Sequence, residues 1–451
     1  MEHRLLRNLL LITVALVLAV ATVPLVRGVH ADDNGDDNGK NPVNARALQK
    51  VAQGRHTFRF DTFGDEAFWG EMLKLHQAIE GSKFGGVGPG ITPNTALALG
   101  LKVDVDALPH DVQEKLKHGT ISLDDPATTL ALLRLNAVLG ITGVFNSTNG
   151  TLSSVGIQCA LCHSTVDDSF ARGIGHRLDG WANRDLNVGA IIAAAPDLTA
   201  FATLLDTDQA TVRKVLLSWG PGKFDAELAL DGKAFRPDGK SAAVLIPPAF
   251  GLGGINLHTW TGWGSIPYWN AFVAVLEMHG KGRFFDPRLN DPLQFPIAAK
   301  NGFGNVQIDP DSDLVTSKLS ALQEYELSIP SPQPLPGSFS PEAAKRGDAL
   351  FSGKAKCNNC HSEPLWTEPG WNLHTPAEIC IDDFQANRAP DHRYRTSPLG
   401  ALFTHEKGGF YHDGRFATLG DVVEHYDSCM SLGLSDSEKS DLIQYLLSLT
   451  F

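Results

Sequence analysis

Two pentapeptides hold the residues whose types and spacing can do chemistry: Cys159-Ala160-Leu161-Cys162-His163 and Cys357-Asn358-Asn359-Cys360-His361, both C-x-x-C-H. Thiols at this spacing can each add to one vinyl group of a haem, while the adjoining histidine swings under the ring to ligate iron. A single copy would also read as half of a zinc site, which needs a second Cys or His pair nearby. It would equally read as a thioredoxin-like redox pair, which needs a βαβ setting and no histidine. Two complete copies in one chain favour two covalently bound haem c groups, held by Cys159, Cys162, Cys357 and Cys360, with His163 and His361 as proximal iron ligands. Cys380 and Cys429 stand outside the motifs. They either pair, closing a loop of about fifty residues worth about 3–4 kcal/mol, or remain two separate buried thiols; both readings are open at this level.

Haem of this type is attached outside the cytoplasm, and the N-terminus carries a matching address. Arg4 and Arg7 precede an uncharged, mostly apolar run from Leu9 to Val26, followed by the small-residue ending Val29-His30-Ala31. This is the order of a secretory signal, expected over residues 1–31 with cleavage after Ala31, which makes the mature protein periplasmic or otherwise exported. An uncleaved anchor is the competing reading, since the run is just long enough to span a bilayer; after cleavage no stable membrane insertion is expected. Residues 32–44 begin Asp32-Asp33-Asn34-Gly35-Asp36-Asp37-Asn38-Gly39 and read as a disordered acidic leader. The repeat lacks the following Glu that a calcium loop requires. The net charge of −13 over 451 residues argues against nucleic acid as a partner, and 43% hydrophobic with 20% charged residues is the composition of an ordinary globular chain.

The elements that must position the motifs read as mainly α. Phe68, Met72, Leu75 and Ile79 form a helical stripe over Ala67–Ile79, and Thr128–Val144 is a second, strongly apolar helix candidate. Gly81–Gly90 is a glycine-rich loop without the order of a phosphate-binding fingerprint. Pro330, Pro332, Pro334, Pro336 and Pro341 mark a domain boundary. The expected organisation is an N-terminal haem domain over 45–329, a Pro-rich linker over 330–339 and a C-terminal haem domain over 340–451. In the last, Ser340-Pro341-Glu342 opens a helix through Ala344, Gly347, Leu350 and Phe351. Ser435-Asp436-Ser437-Glu438 is a capping box that opens another, with Leu442, Tyr445, Leu446 and Leu449 on one side.

A small helical domain that begins and ends with such helices around C-x-x-C-H resembles class I cytochrome c, where the two helices cross and Gly347 would permit their approach. Between them lie Tyr394-Arg395-Thr396-Ser397-Pro398-Leu399 and Gly409-Phe410-Tyr411-His412-Asp413-Gly414-Arg415-Phe416-Ala417-Thr418-Leu419. This order resembles the C-terminal half of the bacterial dihaem cytochrome c peroxidase and MauG superfamily, with its F-x-T-P-x-L and Y-x-H-D-G-R-x-x-T-L signatures. The likeness covers 340–451 well. Over 45–329 it is limited to the first haem motif and a Trp-Thr-Gly segment. It implies two cytochrome c-like haem domains, the N-terminal one enlarged by extra helices and loops. It also implies a distal ligand of the second haem on the helix after H-D-G, where the family's spacing lands on Tyr426. Met430 and His425 are neighbouring competitors, and an axial Met would raise the potential relative to Tyr. A calcium ion at the domain junction is a further implication, with Asn183 or Asn187 and the Thr396 carbonyl as donors.

For the first haem, a peroxidase needs an open distal site and an acid/base within reach of bound oxygen. The family's W-D-G-like segment corresponds here to Trp260-Thr261-Gly262, in which Thr261 replaces the Asp, and no Glu follows before Glu277. Glu277 is therefore the candidate acid/base, against the alternative of a surface helix Glu, and Trp260 the candidate inter-haem aromatic. His176, His258, Met278 and His279 would each close the sixth position if they reached the iron, and Arg177 or Arg184 would pair with haem propionates. The resemblance implies peroxidase-like reduction of hydrogen peroxide at the N-terminal haem, with electrons from a small redox protein entering through the C-terminal haem. The alternatives are a non-catalytic electron-transfer cytochrome and an oxidase like MauG or the dihaem rubber oxygenases.

Overall fold

Proline and glycine, 26 and 44 of them, interrupt the chain so often that most of its helices are short. The computed structural model describes residues 41–450. The expected signal peptide, its cleavage site and leader residues 32–40 lie outside the described residues. Helix α1 (Pro42–Phe60) opens within the stretch read as leader. The first of two units ends at Ala47; in it the Asn41 carboxamide oxygen accepts from the Val43 amide at 2.9 Å. The second unit begins at Leu48. None of the described helices is long and apolar enough to cross a membrane.

The second unit is helix-rich, with only two-stranded ladders among its described residues. The stripe expected over Ala67–Ile79 is broken. Ala67–Met72 is a π turn, in which the Leu73 amide donates to the Phe68 carbonyl, and Lys74 takes φ +56° before α2 (Leu75–Glu80) begins. The changed register buries Phe68, Leu75 and Ile79 but leaves Met72 55% exposed. The helix expected over Thr128–Val144 also stops early. α3 (Pro126–Arg134) starts on an Asp125 cap, and the chain turns at Asn136, with φ +51°. Ile141–Phe145 then forms β1, antiparallel to β2 (Leu152–Ile157). The β-branched residues Ile141, Thr142 and Val144 suit a half-buried strand better than another helical turn.

The following helices that matter to the site are α4 (Ala160–His163), α5 (Val188–Ala193), α6 (Thr199–Leu204), α7 (Gln209–Leu217), α8 (Leu228–Asp231) and α9 (Ile266–Phe272). α9 runs into a second π turn, Val273–Glu277, and α10 (Leu319–Ser328) packs against α9. A stretch without helix or strand carries the clustered prolines to α11 (Pro341–Ser352). Ser340 caps α11 by accepting from the Ala343 amide at 3.3 Å. α12 (Leu419–Met430) and α13 (Asp436–Ser448) both open on reciprocal capping boxes, Thr418 with Asp421 and Ser435 with Glu438.

α11 and α13 cross at Gly347. A Cβ there would lie 2.2 Å from the Asp441 carbonyl oxygen and 2.7 Å from Tyr445 Cβ, so only glycine permits this approach. The apolar cluster they enclose, with Phe351, Leu402, Phe410, Val423, Leu442 and Leu446, is built wholly from residues after Phe339. Two others cross the sequence: Ala389 packs with Phe272, Phe284 and Phe295, and Ala401 with Phe58, Ala160 and Tyr325.

Candidate haem sites

β2 delivers the chain to the first motif, and Gly140 lets it pass. With φ +77°, a Cβ at Gly140 would sit 2.1 Å from Leu161 Cα. The Gly180 amide donates to the His163 carbonyl and the Asn183 amide to that of Cys162, both at 2.8 Å. His163 Nδ1 lies 3.1 Å from the Pro247 carbonyl oxygen. A proton on Nδ1 satisfies that contact and leaves the Nε2 lone pair for a metal. Burial, partly opposed by the Pro247 hydrogen bond, holds the imidazole down at about 4, neutral as a ligand must be.

Cys159, Cys162 and His163 line a cavity of about 330 Å³. Its wall is predominantly apolar, with Ile192, Val215, Leu216 and Trp219 from α5, α7 and the turn after it. Two cations at this site have nitrogens without a partner. Buried Arg184 has no partner for Nε or Nη1, and Arg395 has none for Nε. Burial lowers both guanidiniums to about 10. Arg395 lines the cavity, and Arg184 is close enough to His405, which also lines it, to depress that imidazole. An apolar chamber with two attachment thiols, a neutral imidazole and two cations lacking anions fits haem, whose propionates supply the missing carboxylates.

Glu277, the last residue of the π turn, lines the same cavity; the residue is half-buried, and its Oε1 is buried without a partner. It is not the surface glutamate that a helix of ordinary register would have given. Burial, then the charges of Glu227 and Asp225, raise its carboxyl well above the usual range. Trp260 also lines the cavity and donates its indole N–H to the Leu245 carbonyl at 2.8 Å. Met278 and His279 are on the same wall, where His279 stacks on Phe68 at 3.6 Å. His258 is there too, its Nε2 3.1 Å from the Ile255 carbonyl oxygen. His176 is not: it is exposed, 2.9 Å from Asp106, and Arg177 is engaged by Asp104. The motif reading missed His405, a half-buried residue whose Nε2 is buried without a partner and whose imidazole is held at about 3 by burial and by Arg184. A lone histidine ending a single 3-10 turn gave no local signal.

At the second motif, His361 Nδ1 lies 2.9 Å from the Trp366 carbonyl oxygen, repeating the first arrangement. Tyr426 on α12 is half-buried near this motif. Burial raises its phenol first, and the Cys360 and Cys357 thiols add to the shift. Tyr411 and His425 flank it, with ring centroids 6.4 and 5.3 Å away. His425 is engaged through Nε2 by the Ile379 carbonyl at 2.9 Å. Met430 ends α12 and is 45% exposed. The neighbouring Cys429 is paired with Cys380, so of the two open readings for these cysteines the disulfide is the one formed. Cys159, Cys162, Cys357 and Cys360 are free.

The expected calcium donors are largely engaged elsewhere. Asn187 Oδ1 caps α5 by accepting from the Ala190 amide at 3.1 Å. The Thr396 carbonyl accepts from Thr367 at 2.5 Å, and Asn183 retains only a free Oδ1.

No protein-family model matches the sequence. Over 120 residues the chain is 29% identical to the methylamine utilization protein MauG of Methylorubrum extorquens, a match covering 24% of this chain and 34% of the relative. Over 224 residues it is 25% identical to the cytochrome-c peroxidase IdrP1 of Denitromonas iodatirespirans, covering 38% of this chain and 58% of the relative. The chain thus matches between about a third and three-fifths of the length of these relatives. Among solved structures it is similar to a MauG-like protein associated with microbial copper homeostasis, at 18% identity and TM-score 0.31, covering 49% of this chain and 79% of that one. It is also similar to the diheme peroxidase BthA from Burkholderia thailandensis, at 17% identity and TM-score 0.31, covering 51% and 78%. The two sequence matches, joined to the two C-x-x-C-H motifs and the H-D-G-R segment, support a likeness to the superfamily of MauG and the dihaem cytochrome c peroxidases.

Proposed function

We propose that this protein is an exported dihaem c-type cytochrome that reduces hydrogen peroxide in the cavity beside His163. Its two cytochrome c-like haem domains span 45–329, the enlarged one, and 340–451, joined by the Pro-rich segment 330–339. Cys159, Cys162 and His163 hold one haem, and Cys357, Cys360 and His361 the other. Haem at the second motif would be the entry point for electrons from a small redox protein, and haem at the first the point of their use. Haem supplies the iron and the electron path when bound; the protein sets its ligands, dielectric and access. The two sequence relatives support a redox role of this kind.

The observation that carries the reading is Glu277, which lines the cavity that His163 also lines and has one buried carboxyl oxygen without a partner. Retained as an acid by burial, it can give its proton to the departing oxygen of peroxide and, once ionised, take one back. The wall is predominantly apolar, and Arg184 and Arg395, each with an unpartnered nitrogen, would pair with haem propionates. Trp260, anchored to the Leu245 carbonyl, would be the aromatic between the haems. Peroxide turnover with a reduced cytochrome donor is the test. Glu277→Gln should lower kcat/KM by roughly 10²–10⁴ without loss of haem, and unchanged turnover would remove Glu277 from the mechanism.

Tyr426 favours a second reading. A phenolate on the second iron would lower its potential relative to a thioether, which suits an oxidase of the MauG kind better than an electron-accepting peroxidase.

A further inference from the structure

Behind Glu277 lies more acid than the local cations can balance. Arg388, fully buried, contacts Asp225 Oδ1 through Nη2 at 2.9 Å and Asp231 Oδ2 through Nε at 2.8 Å. Gln385 Nε2 donates to Glu227 Oε1 at 3.0 Å. The remaining oxygens, Asp225 Oδ2, Glu227 Oε2, Gln385 Oε1 and Glu277 Oε1, are buried without a partner, and all four residues line the cavity. Four carboxyl groups therefore share one guanidinium in a medium that penalises unpaired charge.

A metal ion would be one remedy, but these oxygens do not gather for one. Among the described residues the only Cys, His, Asp and Glu donors grouped within 4.8 Å of one another are Cys360, Glu368 and His374. Retained protons are the other remedy. Burial pushes Asp225 up to about 7 against the pull of Arg388, and burial likewise raises Glu227. The outer edge of the cluster meets solvent at Lys233, whose Nζ lies 3.9 Å from Asp231 and whose side chain is 46% exposed.

We propose that Glu227 and Asp225 form a proton store that reloads Glu277 during peroxide reduction. The inference rests on the function proposed above. Hydrogen peroxide takes two electrons from the reduced redox partner and two protons from the protein; the O–O bond breaks, two O–H bonds form, and two waters leave. Glu277 gives the first proton to the departing oxygen. The carboxylic acid of Glu227 then passes its own proton to the Glu277 carboxylate, which gives it to the second oxygen. Solvent refills the store. Glu227 acts through Glu277 and is thus a positioning residue, not a catalytic one. The titratable and charged groups that face the store are Asp225, Asp231, Glu277 and Arg388, while His258 and Glu326 line the same cavity.

The test uses the haem-loaded full chain and its Glu227→Gln and Glu227→Asp variants. Infrared spectra at neutral pH should show protonated-carboxyl C=O stretches in the wild type, one of which Glu227→Gln removes and Glu227→Asp restores at a shifted frequency. Titration of the wild-type bands gives the same information without a variant, should Glu227→Gln fail to fold. With a reduced cytochrome donor, Glu227→Gln should lower kcat roughly tenfold above neutral pH, less than loss of the acid itself, with KM for peroxide unchanged and the acid side of the pH profile retained. Wild-type turnover with a Glu227→Gln profile and infrared spectrum matching the wild type would overturn the store alone. Absence of peroxide turnover in the wild type would overturn the proposed function and the store with it.

Discussion

His163 and His361 reach the same solution from different surroundings: each Nδ1 is set against a backbone carbonyl, of Pro247 or of Trp366, and Nε2 is left for iron. Their identity was legible because C-x-x-C-H is a contiguous signal. The residues that complete the two pockets come from distant parts of the chain, and their legibility fell accordingly. Tyr426 came only through a family spacing, while Met430, four residues on, shares its helix but faces solvent. Tyr426→Phe should change the ligand-field bands of the second haem and leave those of the first untouched, as magnetic circular dichroism of the oxidised protein can resolve. No change at the second haem would return Tyr426 to a packing role among Tyr411, Phe416 and His425.

Short elements hold these residues, and their ends were easier to read than their interiors. The capping residues at Ser340, Thr418 and Ser435 act locally, so a few letters suffice to identify them. The two π turns escaped a period of 3.6 because each shifts the face that the following residues present. Val273–Glu277 thereby brings its final carboxyl into the cavity wall. The misread helix after Thr128 fails for a related reason, since apolar content alone does not separate a buried helix from a buried strand. Gly347 is where close packing of two elements can be tested. Gly347→Val would drive its side chain into the Asp441 carbonyl and Tyr445, costing about 1–3 kcal/mol, read as a lower Tm with the haem count unchanged. A Tm equal to the wild type would show that the helices can separate freely.

At the scale of the molecule, polar contacts join the segment around Lys223–Leu245 to residues 382–415. Arg236 contacts Asp413 at 2.7 Å and Asp382 at 2.9 Å, Arg415 contacts both carboxylates, and the Leu245 amide donates to the His412 carbonyl. The H-D-G-R segment, legible as a family mark, thus also acts as a joint, which no local pattern could reveal because Arg236 is remote in sequence. Burial alone would raise the Asp413 carboxyl, but the Arg415 hydrogen bond and the charges of His412, Arg415 and Arg236 outweigh it and hold it at about 2. An unfolded aspartate titrates near ~3.9, so the unfolded chain binds the proton first. The stability this group contributes is complete above that value and is lost as pH falls towards 2. Asp413→Asn should lower Tm at neutral pH, and its deficit against the wild type should shrink through this acid window in thermal melts. A deficit independent of pH would show that the carboxylate's charge is not what stabilises the joint.

The most direct test of peroxide reduction beside His163 is the EPR and optical spectrum of the purified haem-loaded protein. It is recorded oxidised and half-reduced, before and after one equivalent of hydrogen peroxide. The expected result is a high-spin, open first haem whose signal peroxide consumes in the half-reduced protein. Two low-spin haems indifferent to peroxide would contradict it and make the protein an electron carrier, with the first iron closed by a cavity residue such as His258, His279 or His405.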